Sequence, residues 1–134
     1  MSVNYLAHLV SFKRAPTLDD IGDQRIGYVL AHALQEEGDP FWPPSAVCQV
    51  IDAFASEDIE RGFANECFFK RGSYTKAINE GGQQERELAA RYREWANATF
   101  NYPRTSAILM SISDEWTRQA EREDIDAEQR KMKM

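Results

Sequence analysis

Lys70, Arg71, Tyr74 and Lys76 bring three cations and a phenol into one short stretch of chain. Fixed cations of this kind can hold a phosphate or a carboxylate, so the stretch is a candidate site for an anionic substrate. A second group is the acidic row Glu121, Glu123, Asp124 and Asp126 near the C-terminus. Such a row can meet a basic partner, or imitate the regularly spaced phosphates that a cationic groove binds. General acid–base catalysis would need two carboxylates in different environments, so that one pKa rises, and spacing does not show that. A third group is Phe41-Trp42, set among Pro40, Pro43 and Pro44. Large aromatics in such a connector either plug the edge of a core or anchor a protein interface, where they bury much area for little lost entropy.

Other chemistries have no foothold. The two histidines, His8 and His32, stand in neither HExxH nor ExxH spacing, so neither a zinc helix nor a di-iron bundle is expected. Cys48 and Cys67 are not in CxxC spacing and read as small buried apolar groups in a reducing compartment. There is no GxxxxGK loop, no GxGxxG and no GxSxG, so Gly81-Gly82 reads as a flexible lead into a helix, not as a phosphate cradle. The expectation is a protein without cofactor, metal or catalytic set.

The elements that must position these groups are helical. The best-defined part is Gly81 to Lys131, two amphipathic helices joined at Tyr102-Pro103. Gln83 to Phe100 carries Leu88, Tyr92, Trp95, Ala96 and Thr99 on one face and Arg86, Glu87, Arg91, Arg93 and Glu94 on the other. Proline is tolerated at a first helical position, so Pro103 opens the last helix, whose stripe is Ile108, Leu109, Ile112, Trp116 and Ala120. Beyond Ala120 the sequence is mostly charged and the helix end is expected to fray. The short connector favours an antiparallel helical hairpin.

Upstream, Val3 to Phe12 reads as a short helix broken at Pro16. Thr17 can cap the next helix, with Asp19, Asp20 and Asp23 near its positive end. That helix has a stripe at Ile26, Val29, Leu30, Ala33 and Leu34, and Gly38 is its natural left-handed end. Gly22 and Gly27 weaken it by about 1 kcal/mol each relative to alanine. Ser45 reads as the cap of a helix bearing Val47, Val50, Ile51 and Phe54. Ser56 caps another, with Ile59, Phe63 and Cys67 inside and Gly62 marking close packing or a bend. Lys70 to Gly82 has no period and reads as a surface loop, or an internal linker between two helical units. The whole is expected to be all-α, a single domain over 1–134 of about five to six helices, because neither part alone holds a comfortable core.

Charge bears on partners. The net charge is −6, with residues 1–69 at −7, 70–104 at +3 and 105–134 at −2. That balance disfavours direct nucleic-acid binding; aromatics beside the basic middle can stack single-stranded bases, but Tyr92 and Trp95 lie on the apolar stripe and read as core. No apolar run is long enough to cross a bilayer and no secretory leader is visible, so a cytoplasmic protein is expected. Small size, acidity and absent motifs lead to a non-enzymatic binding protein that modulates a partner stoichiometrically. Its most concrete form is an inhibitor of a nucleic-acid-processing complex, such as a phage counter-defence (anti-CRISPR-like) protein. Two alternatives stand beside it: an enzyme or accessory domain using the 70–82 loop, and a structural protein that self-associates through its last helix.

Overall fold

Helix boundaries follow local chemistry at some ends and tertiary contacts at others. The computed structural model describes residues 18–35 and 38–133. The Val3–Phe12 helix, the Pro16 break, the Thr17 cap, His8 and the side chains of Asp19 and Asp20 lie outside the described residues. Among the described residues there are five helices and no strand: α1 (Leu18–Ala31), α2 (Ser45–Phe54), α3 (Glu57–Phe69), α4 (Gln83–Ala98) and α5 (Pro103–Lys133). Ser56 caps α3 as expected, its Oγ accepting the Ile59 amide at 3.2 Å. α2 starts differently: Pro44 is the cap residue and Ser45 is already helical, without a side-chain cap. Pro103 does open α5, which stays helical to Lys133 where fraying was expected. At 1.5 Å per residue α5 is about 46 Å long, the spine of the protein.

The last stripe holds: Ile108, Leu109, Ile112, Trp116 and Ala120 are all buried. α4 lies along α5, while α2 and α3 each touch it. Between α4 and α5, Ser113 Oγ donates to the Ala89 carbonyl at 2.7 Å and Ser106 Oγ to the Ala96 carbonyl at 2.8 Å. At the start of α4 a Cβ on Gly82 would stand 2.3 Å from the Ala120 carbonyl oxygen. Only a glycine lets the two backbones approach so closely there.

α1 departs from its expected stripe. It ends at Ala31, seven residues before Gly38, because the His32 and Ala33 amides turn back to the Val29 and Leu30 carbonyls in tighter i→i+3 bonds. The Ala33 carbonyl is then taken by the Trp42 indole N–H at 2.7 Å. Val29 is 72% exposed and Leu34 82%, whereas Gly27 and Ala31 are buried. The inward face is thus the small-residue face. A Cβ on Gly27 would stand 2.1 Å from the Ile59 carbonyl oxygen, and one on Gly62 2.1 Å from that of Gln24. α1 and α3 therefore cross backbone to backbone, and Gly62 marks close packing, one of its two expected roles.

The core gathers around Trp42. Its ring stacks on Phe63, with centroids 5.6 Å apart and planes 18° from parallel, and meets Trp95 at 5.0 Å and Tyr92 at 6.5 Å. Aromatic pairs at these separations add about 0.5–1.5 kcal/mol each beyond their burial. Phe54, expected on the inner stripe of α2, is exposed, and Val47, Cys48 and Ile51 form its buried side.

One helix end is closed from a distance. Asp52 of α2 accepts the Arg104 amide at 2.8 Å, the Thr105 amide at 3.1 Å and the Thr105 hydroxyl at 2.7 Å. These are the first free amides of α5, and a carboxylate there also meets the positive end of the helix dipole. Asp52→Ala is expected to lower stability by about 1–2 kcal/mol, with Asp52→Asn losing less because its amide oxygen still accepts. Urea midpoints at unchanged slope measure this.

Candidate functional site

Residues 70–82 leave α3 and return at the start of α4, and their cations turn inward. Lys70 Nζ donates to the Ala31 carbonyl at 2.8 Å and lies 4.3 Å from the Trp42 ring centroid. It closes the C-terminus of α1, which has no basic residue in its own last turn. Arg71 Nη1 is 2.5 Å from Glu85 Oε2, Nη2 donates to Gln84 at 3.1 Å, and the guanidinium lies over the Tyr74 ring at 3.4 Å. Lys76 Nζ donates to Glu85 at 2.7 Å, to Glu123 at 2.8 Å and to the Gly81 carbonyl at 2.8 Å. All three cations expected to hold an anion are thus engaged within the fold. Tyr74 remains half exposed beneath Arg71.

Glu85 explains this inward turn. It is fully buried in the first turn of α4, and an isolated buried carboxylate is strongly unfavourable. Burial pushes its carboxyl up, but hydrogen bonds from Lys76 and Arg71 outweigh burial and hold it below the ordinary glutamate range. Lys76 is the mirror case. Desolvation pulls it down, while the bonds to Glu123 and Glu85 outweigh that and raise it.

A second buried carboxylate lies elsewhere. Glu60, fully buried on α3, is held by Arg104 in a forked pair, Nε to Oε2 at 2.5 Å and Nη2 to Oε1 at 3.0 Å. Here burial wins over the pair, so Glu60 sits above its ordinary range. Arg104 is raised by its bond to Glu60.

The acidic row splits. Glu123 is bound to Lys76, and Asp124 accepts the Gly82 amide at 2.7 Å and Arg86 Nη1 at 2.6 Å. The Gly82 bond, then Arg86, lowers the Asp124 carboxyl. Asp124 therefore caps α4, and of the row only Glu121 and Asp126 face solvent without a hydrogen bond or ion pair among the described residues. Trp42 is a core residue with 4% exposure, which removes it as a surface anchor, and Phe41 beside it is half-buried. Tyr92 is buried and Trp95 half-buried, so neither is an open stacking platform.

The remaining groups are placed as follows. His32 Nε2 pairs with Glu66 on the surface between α1 and α3. Cys48 and Cys67 are buried free thiols, and burial pushes them up to about 11 and about 12. Thiols so raised are poor nucleophiles at neutral pH. Among the described residues, no three His, Cys, Asp or Glu side chains are grouped to hold a metal ion, and no helix is long and apolar enough to cross a membrane. An open groove of about 560 Å³ is lined by Pro40, Glu94, Trp95, Asn97 and Ala98. No residue of 70–82 lines it.

Sequence reasoning missed Asp52, Glu60 and Glu85. Two of them had a signal. Glu85 stands on the row Glu85, Ala89, Tyr92, Ala96, and Glu60 on the row Glu60, Phe63, Ala64, Cys67, all buried at helical spacing. A carboxylate on an inward row implies a cation from another element. No protein-family model matches the chain, and neither a curated protein nor a solved structure matches it.

Proposed function

We propose that this is a non-enzymatic acidic helical binding protein, a stoichiometric modulator of a macromolecular partner with a basic surface. Its most specific form is an inhibitor of a nucleic-acid-processing complex, of the phage counter-defence kind, acting in the cytoplasm without a cofactor. One observation carries the reading. Lys70, Arg71, Lys76, Arg86 and Arg104 are all engaged by groups of the same chain, so the surplus of negative charge is left for the exterior. In this reading α4 and α5 form the antiparallel hairpin that carries Glu121 and Asp126. An anionic substrate at 70–82 would require Arg71 and Lys76 to leave the buried Glu85 first.

Affinity capture with and without nuclease, followed by titration of the captured protein, tests the proposal. Glu121→Lys with Asp126→Lys is expected to weaken association about tenfold or more at low salt and leave the thermal midpoint within about a degree. Glu123→Lys with Asp124→Lys is expected to lower the midpoint, since those carboxylates hold Lys76 and Gly82. Binding unchanged by the first pair sinks the acidic-surface reading. The self-associating alternative has its own observation, the exposed Ile125 and Met132 on α5. Light scattering that finds a monomer across concentrations removes it.

A further inference from the structure

We infer that residues 71–81 form a charge-locked strap, which opens as a local unit over Trp116 while the helices stay folded. The segment lacks an apolar anchor. From Arg71 to Gly81 it buries no large apolar side chain: Tyr74 and Ile78 are both more than half exposed. Segments with few buried apolar contacts open at lower free energy than the domain unfolds.

Polar bonds hold it instead. Apart from short-range bonds in the segment itself and the Arg71 and Gly72 amides, which donate to the Phe68 and Phe69 carbonyls at the end of α3, its ties are polar bonds to α4 and α5. Arg71 and Lys76 reach Glu85, Lys76 reaches Glu123, Gln84 donates to the Thr75 carbonyl at 2.7 Å, and Arg130 donates to the Ile78 carbonyl at 3.1 Å. At the return into α4, Asp124 holds the Gly82 amide and Arg86. Because Arg71 and Lys76 converge on Glu85, and Lys76 also holds Glu123, loss of Lys76 weakens these ties together.

The strap can bend at its two ends. Gly72 at φ 63° and Gly81 at φ 76° bracket the strap, the left-handed conformations that glycine adopts freely. Among the described residues nothing but the Lys70 carbonyl, at 3.9 Å, stands near a Cβ on Gly72. Beneath the strap lies Trp116, only 7% exposed, with the Arg71 guanidinium 5.3 Å from its ring centroid and Phe68 on another side at 5.3 Å. Its indole N–H is buried and meets no acceptor among the described residues. Opening would free that donor for solvent or for a partner.

The pH sign follows from Glu85. Its carboxyl is held down in the closed strap, so its contribution is complete above the ordinary glutamate value of about 4.3 and is lost as pH falls through the lower folded value. Lys76 and Arg71 face Glu85 directly and Glu123 shares Lys76 with it, while Asp124, Arg86 and Arg130 are the further charged groups of α4 and α5 at the strap.

Hydrogen exchange read by mass spectrometry at neutral pH tests the inference. Wild type is compared with Lys76→Met, with Glu85→Gln, and with Asp52→Ala as a variant weakened away from the strap. Lys76→Met is expected to speed exchange across 72–82 by about tenfold or more, with peptides over α2 and 105–113 unchanged. Asp52→Ala is expected to leave 72–82 unchanged relative to the core. Exchange in Lys76→Met that rises equally over core and strap, or does not rise at all, overturns the inference. If Glu85→Gln fails to fold, Lys76→Met still decides, because Arg71 continues to pair Glu85.

Discussion

Arg104→Met is expected to destabilise the protein by about 3 kcal/mol at neutral pH and to make its stability rise in mild acid. Glu60 is fully buried and its two oxygens meet the guanidinium in a fork. Removing one partner of a buried pair costs about 3–5 kcal/mol, because the remaining charge is left uncompensated in a low-dielectric site. The low end applies here, since the Arg104 side chain is 37% exposed and water already screens it. The sign follows from burial. Glu60 already sits above its ordinary range with Arg104 present, and it rises further without it. Its protonated form then stabilises the fold fully below the unfolded glutamate value of about 4.3, and that stabilisation is lost as pH rises through the folded value. Urea midpoints from pH 5 to 8 measure the slope. Glu60→Met combined with Arg104→Met is expected to recover most of the loss, because the stranded charge is gone. A double variant as weak as Arg104→Met alone would show that packing of the arginine stem, not charge, carries the effect.

Gly62→Ala is expected to lower stability by about 2–3 kcal/mol, although alanine is the better helix former by about 1 kcal/mol. The new methyl carbon would stand 2.1 Å from the Gln24 carbonyl oxygen and 2.8 Å from its carbonyl carbon. These are backbone atoms of a helix, so no side-chain rotation relieves the clash and α1 must move off α3. Gly27→Ala meets Ile59 and Phe63 backbone atoms in the same way and should cost a similar amount. The two losses should not add, because one separation of the helices makes room for both. Gly22→Ala is the internal control. Among the described residues nothing lies within 4 Å of its Cβ, so it is expected to be neutral or stabilising. Thermal or urea midpoints of the four variants decide the matter.

These two sites show how much of the fold was legible. The all-helical class, the Ser56 cap, the proline start at Pro103 and the five-residue stripe of α5 all rest on chemistry within a few residues. α1 keeps Leu30 and Ala33 of its expected stripe against the core but exposes Ile26, Val29 and Leu34, because the crossing needs Gly27 and Ala31 inward. A glycine reads locally as a weak helix residue, and its value for close approach exists only once a second backbone is present. Trp42 in its proline connector was legible as either core plug or anchor, and the partner rings Phe63, Tyr92 and Trp95 decide for the core.

The candidate site was less legible than the fold. Lys70, Arg71, Lys76, Glu123 and Asp124 look like surface charge along the chain, yet each has an internal task at a helix end or a buried carboxylate. Periodicity, capping and turn chemistry act within about four residues, so the sequence by itself determined the helical class, the helix starts at Ser56 and Pro103 and the apolar stripe of α5. Which charges remain free depends on how elements cross. Asp52 closes α5 from 52 positions away and Glu60 meets Arg104 across 44, separations that no local pattern encodes. Only the tertiary structure brings these groups within hydrogen-bonding distance, and burial then makes their pairing obligatory.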